Sequence, residues 1–169
     1  MGSSTSSRVQ YISPDEVAQL VLARPNRDDY LIIDVRSSDF AGGNIPGALN
    51  LTTREFGSEQ RLNSTIATHI APRVPPLKLI ILHCMRSQTR GPYAAHLLAQ
   101  SPALPRGVQI RVMKGGFQGW WRQFKGRGDL FENLEGSGEE QGEWEEGVLA
   151  PEGSRREADD SRRLREQGR

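Results

Sequence analysis

Residues 77–92 read Leu77-Lys78-Leu79-Ile80-Ile81-Leu82-His83-Cys84-Met85-Arg86-Ser87-Gln88-Thr89-Arg90-Gly91-Pro92. The first seven form a nearly continuous apolar run of strand length, as expected in a sheet covered on both faces. Gly91-Pro92 and the apolar-periodic stretch from Tyr93 to Gln100 then read as a helix entry. The order is strand, loop, helix N-terminus, and Cys84 to Arg90 form the loop. In such a loop successive backbone N–H groups can turn inward, the helix N-terminus adds partial positive charge, and an arginine offers two parallel donors. Met85, Arg86, Ser87, Gln88, Thr89 and Arg90 are therefore expected to cradle a tetrahedral oxyanion. The same surroundings favour the thiolate form of Cys84, the nucleophilic form. Ser87 is placed to donate a hydrogen bond to that thiolate or to a departing sulfur species, and Arg86 adds a further cation. A lone cysteine is more commonly a small buried hydrophobe, and Arg90 could simply pair with a surface carboxylate. The preceding strand, His83, Ser87 and the Gly-Pro helix entry favour the functional reading over that one.

Working outward, Tyr30-Leu31-Ile32-Ile33-Asp34 is a second buried strand ending in a carboxylate. Ser13-Pro14-Asp15-Glu16 combines an N-cap serine, a proline at the first helical position and a glutamate that can complete a capping box, so a helix is predicted to about Leu22. Short elements follow at Ala48–Leu51, a strand, and Thr53–Phe56, a helical turn. Apolar Leu62, Ile66 and Ile70, spaced four apart, predict one helix over 59–70. Val108–Met113 reads as a third long strand before Gly115-Gly116 and the aromatic-rich Phe117-Gln118-Gly119-Trp120-Trp121. Alternating strands and helices imply an α/β domain with a mainly parallel central sheet flanked by helices. The pattern places that domain at residues 9–124. Residues 125–169, rich in Gly, Glu and Arg, bury too little apolar surface to offset their ordering entropy and read as a disordered charged tail. Within the tail, 157–166 has the charge spacing of a short helix, and Trp144 is a docking anchor if the tail is not simply solubilising.

The chain has 169 residues, 36% hydrophobic and 25% charged, and no apolar run long enough to cross a bilayer. Its single cysteine and the lack of a signal-like start fit the cytoplasm or nucleus. The formal net charge of +1 conceals a division. Residues 1–128 hold 16 Lys and Arg against 8 Asp and Glu, whereas residues 129–169 hold 6 against 13. The basic part suits an anionic ligand, and the acidic part reads as a solvated tail or, where it reaches the basic rim, as a tethered competitor for that ligand. Nucleic acid is disfavoured because aromatic and basic residues do not interleave as a stacking platform requires.

With these residues in view, the chain resembles the rhodanese superfamily, in particular its cell-division-cycle phosphatase and yeast-type arsenate reductase branch. Ile33-Asp34-Val35-Arg36 and Gly42-Gly43-Asn44-Ile45-Pro46-Gly47-Ala48 look like the family's strand-end Asp-x-Arg and its following glycine segment. His83-Cys84 through Arg90-Gly91-Pro92 looks like the phosphatase-branch active site, and Gly115-Gly116-Phe117 like the closing Gly-Gly-aromatic segment. The resemblance implies a loop of phosphate or arsenate size rather than the loop, one residue shorter, of the sulfurtransferases. Three departures stand out. Asn44 replaces a frequent histidine, Met85 and Thr89 replace loop acids, and Val35 replaces a second cysteine able to protect the nucleophile.

The expected activity is that of a phosphatase acting on phosphotyrosine or mixed phosphoprotein substrates, through a thiophosphate on Cys84 held by Arg90. The alternative is arsenate reduction, with glutathione as reductant and glutaredoxin as partner, and no cofactor is expected otherwise. Thiosulfate sulfurtransfer and a non-catalytic binding module are weaker readings. Asp34 could act as a proton donor, but an Asp34–Arg36 ion pair ordering the surrounding loops is favoured. His83 is expected to anchor the loop by hydrogen bonds, because adjacent strand residues face opposite ways. His69 and His96 lack metal-ligand spacing. At least one of Phe117, Trp120 and Trp121 is expected in the core rather than on a substrate platform.

Overall fold

The computed structural model describes residues 9–134. The acidic segment beyond them, including the expected disorder, the 157–166 helix and the Trp144 anchor, lies outside the described residues. Five strands, β1 (Gln10–Ile12), β2 (Tyr30–Asp34), β3 (Leu49–Asn50), β4 (Leu79–His83) and β5 (Gln109–Met113), form one sheet in the order β1-β5-β4-β2-β3. Every pairing is parallel. Four α-helices accompany them: α1 (Pro14–Ala23), α2 (Glu59–Thr65), α3 (Arg90–Gln100) and α4 (Gly116–Phe124).

Local chemistry explains the boundaries. Ser13 accepts from the Glu16 N–H while Glu16 accepts from the Ser13 N–H, so the capping box that the sequence predicts starts α1. Alternate strand residues Leu31, Ile33, Ile80, Leu82 and Val112 join Leu62, Ile66, Ala94, Ala95 and Leu98 in one apolar core. The other alternates, Tyr30, Ile32, Ile81 and Met113, are equally buried, so the sheet is covered on both faces.

Three expectations are corrected. A strand at Gln10–Ile12 was not predicted; it forms because it pairs with Arg111–Met113 of β5. The stretch 59–70 is not one α-helix but α2 followed by a π-helical turn over Ile66–Ile70. The packed chain also runs past residue 124. Leu130 and Phe131 are buried, the Trp120 indole N–H donates to Leu130 O at 2.9 Å, and Asn44 and Glu132 exchange backbone hydrogen bonds of 3.0 and 2.9 Å. Two apolar residues in a polar stretch hardly move its average composition, yet they anchor a strap over 128–134.

The sheet order fixes where a ligand can sit. From β2 the chain moves to β3 on one side, and from β4 to β5 on the other. Adjacent parallel strands whose connections leave in opposite directions open a crevice at their carboxyl ends. Asp34 pairs with His83 in register at that edge, so the segments beginning at Val35 and Cys84 both emerge there.

Candidate active site

Cys84 is the first residue beyond β4 and is almost wholly buried, at 3% exposure. The Ser87 N–H donates to its Sγ at 3.2 Å, and Ser87 Oγ accepts from the Cys84 N–H at 3.4 Å. That reciprocal pair folds the loop tightly enough to place Ser87 at φ 55°, in the left-handed region rarely used by non-glycine residues. An N–H aimed at sulfur stabilises negative charge there.

The other side of the loop is held by α4. Phe117 N–H donates to Cys84 O and Gln118 N–H to Met85 O, each at 2.8 Å. The His83 ring meets the same Cys84 carbonyl through Nδ1 at 3.1 Å. A carbonyl oxygen only accepts, so Nδ1 carries the proton. Because a peptide's N–H points opposite its C=O, anchoring these carbonyls turns the following amides the other way. The amides of Met85, Arg86, Gln88 and Thr89 donate to no acceptor among the described residues. The approach of α4 depends on Gly116: at φ 59°, an added Cβ would lie 2.5 Å from Cys84 O and Met85 O.

His83 is fully buried, and its Nε2 lies 3.7 Å from Asp34 Oδ2. Burial lowers its pKa below the ordinary histidine value; Asp34 and the contact with Cys84 O oppose this, and Arg36 reinforces it. The ring is therefore a neutral hydrogen-bonding post under the loop. Asp34 is itself buried and taken up by Arg36, whose Nε and Nη2 donate to Oδ2 at 2.9 and 2.7 Å. Arg36 also donates to Asp39 O at 3.0 Å and Gly43 O at 2.8 Å, with its guanidinium 4.0 Å from the Phe117 ring centre. Through Arg36 the Asp34 carboxylate is tied to the segments at Asp39 and Gly43.

The end fork of Arg90 is occupied. Nη1 donates to Asp39 Oδ1 at 2.9 Å and Nη2 to Oδ2 at 2.6 Å, with both side chains about one third exposed. Sequence reasoning did not single out Asp39. Its turn, Ser38–Phe40, meets Arg90 across 51 residues of chain, and no local signal marks that contact. Burial works to raise the Asp39 pKa, but hydrogen bonding and charge from Arg90, aided by the Ser37 N–H, bring it below the usual carboxylate value. Arg86 lies on the loop with Nε and Nη2 buried and without a hydrogen-bond partner among the described residues.

The remaining expected residues sort simply. Met85 and Ser87 are buried, while Gln88 and Thr89 are exposed on the outer side of the turn. Phe117, Trp120 and Trp121 are all buried, so none forms an open platform. Asn44 is structural: its amide donates to Ile45 O and its Oδ1 accepts from Asn133. No group of three or more His, Cys, Asp or Glu among the described residues is arranged to hold a metal.

The family model of the rhodanese-like domain matches residues 14–123, from α1 into α4. The chain belongs to the rhodanese-like family. Among curated relatives of this rhodanese-like chain, the dual specificity phosphatase ibp1 of Schizosaccharomyces pombe is 28% identical over 75% of this chain and 98% of its own length. Among solved structures, Saccharomyces cerevisiae Ygr203w, described as a homolog of single-domain rhodanese and the Cdc25 phosphatase catalytic domain, is 25% identical with a TM-score of 0.62. That likeness covers 75% of this chain and 89% of the yeast one. The As-Sb reductase of Leishmania major shares the fold, with a TM-score of 0.59 at 24% identity over 73% of this chain and 85% of that one. Its curated relatives thus include phosphatases, and a reductase has the same fold. No helix among the described residues is long and apolar enough to cross a membrane.

Proposed function

We propose that this rhodanese-like domain is a cysteine-dependent phosphatase acting on phosphotyrosine or mixed phosphoprotein substrates. The observation that carries the reading is the loop's polarity: its first two carbonyls are drawn away by α4 and His83, the following amides are left without acceptors among the described residues, and an N–H is aimed at Cys84 Sγ. Cys84 attacks phosphorus, an S–P bond forms, and the P–O bond to the leaving group breaks with its electron pair on oxygen. Loop amides and Arg90 stabilise the charge that develops on the equatorial oxygens. Water then attacks the thiophosphate, releasing inorganic phosphate and the thiolate. No cofactor enters, and the partner is the phosphoprotein itself. The likeness to phosphatases along nearly the whole of ibp1 supports this over sulfur transfer.

The test supplies three substrates to one purified sample: an aryl phosphate, arsenate with glutathione and glutaredoxin, and thiosulfate with cyanide. Phosphate release lost in Cys84→Ser is the expected result. Arsenite formation without phosphatase activity would transfer the assignment to arsenate reduction, with glutaredoxin as partner. Thiocyanate production alone would transfer it to sulfur transfer.

A further inference from the structure

A parallel two-point contact with Asp39 is the geometry an arginine offers equally to a carboxylate or to a tetrahedral oxyanion. Asp39 cannot move far from it. Arg36 Nη1 holds its backbone oxygen at 3.0 Å, and the Ser37 N–H holds its Oδ1 at 3.0 Å. We propose that Asp39 is a resident anion on the Arg90 clamp, a specificity-determining carboxylate that holds the guanidinium in place while tempering the affinity of the site for free oxyanions. This rests on the phosphatase reading, in which Arg90 binds the transferred group.

The physical case is one of shared donors. Of five guanidinium N–H bonds Asp39 takes two, leaving Nε–H and one hydrogen on each terminal nitrogen for a second anion. An oxyanion seated on those donors lies beside a fixed negative charge, so the Arg90–Asp39 pair attracts it far less than a lone guanidinium would. The loop amides and Arg86 must then supply most of the net attraction. A phosphoprotein can add contacts from the rest of its surface, whereas inorganic phosphate cannot. The arrangement thereby keeps the clamp from being saturated by the product of the proposed reaction.

The probe is sulfate, a tetrahedral dianion that does not titrate near neutral pH and is neither substrate nor product. It is titrated into wild type, Asp39→Asn, Asp39→Ser and Arg90→Ala at low and high salt, following the amide resonances of residues 85–90. A unit charge roughly 5–6 Å from a dianion, even with water-like screening, is worth about tenfold in affinity, so both Asp39 variants should bind sulfate about tenfold more tightly at low salt. The gap should shrink at high salt. Arg90→Ala should bind more weakly than wild type. Unchanged or weaker binding in both Asp39 variants, with Arg90→Ala impaired, would overturn the inference alone and reduce Asp39 to a prop. Unchanged binding in Arg90→Ala would overturn the clamp itself, and with it the phosphatase reading.

Discussion

At Cys84 the sulfur accepts one N–H from Ser87, and its own amide closes the loop in return. Replacing sulfur by oxygen leaves those amides in place but removes the proposed nucleophile, so Cys84→Ser should retain oxyanion binding and lose turnover. Turnover near the wild-type rate would remove Cys84 from the mechanism. Arg90→Lys keeps the charge without the fork, and a loss of about 10²–10³ in kcat is expected by analogy with removing one transition-state donor. His83 makes a separate prediction about stability. Its unfolded side chain takes up a proton near 6.5, whereas burial holds the folded ring neutral. The unfolded state therefore binds more protons as the pH drops below 6.5. Stability should be full above that pH and fall as the pH drops toward the depressed folded value. Urea-unfolding midpoints between neutral and mildly acidic pH should show this slope in wild type and a flatter one in His83→Gln.

Among the elements, α4 holds the loop through backbone hydrogen bonds to Cys84 O and Met85 O, and glycine substitutions separate its two requirements. Gly107 has φ 84° with open space around a Cβ, whereas Gly116 has φ 59° with loop carbonyls 2.5 Å from one. Gly107→Ala should cost about 1 kcal/mol of stability and leave kcat unchanged. Gly116→Ala should lower both, since α4 can accommodate the methyl only by backing away from Cys84 O and Met85 O. Equal activity in the two variants would dissociate α4 from the loop. The contrast also explains what was legible in the sequence. β2, β4, the loop and the α1 cap are written in contiguous residues, and the Gly-Gly signal marked the start of α4. β1 is three residues long with only Ile12 buried, and its identity comes from pairing with β5. The turn over Ile66–Ile70 closes with Ala71 N–H on Ile66 O, five residues back, because a spacing of four overshoots the 3.6-residue period and a wider turn fits it better. Asp39 was not legible for the same reason as β1: its meaning lies in a partner that only the fold supplies.

Over the whole molecule, the count of cysteines and the closure by the strap set limits that no single element does. The chain has one cysteine, so a sulfenic acid on Cys84 finds no second thiol within it. Peroxide should abolish the proposed activity with oxygen adducts climbing toward irreversible states, and glutathione should protect; inactivation without adducts on Cys84 in intact-mass spectra would contradict this. The strap over 128–134 joins the two sides of the crevice. Phe131 packs edge-on against Phe117 and Trp121, with ring centres 6.1 and 5.3 Å apart, and so braces the helix that orients the Cys84 loop. One residue on, Glu132 bonds to Asn44 through the backbone and to the Gly47 N–H through its carboxylate, fixing the segment that follows Asp39. Removing the Phe131 ring opens a cavity between aromatic neighbours that cannot easily collapse, and Phe131→Ala should cost about 3–5 kcal/mol. The same variant should lose activity at temperatures where it is still folded, because α4 and the Asp39 segment lose their common brace together. Urea unfolding gives the first quantity and phosphate release well below the midpoint gives the second. A destabilised Phe131→Ala with wild-type kcat and KM would make the strap a stability element alone, whereas loss of both places residues 128–134 within the alignment of the crevice.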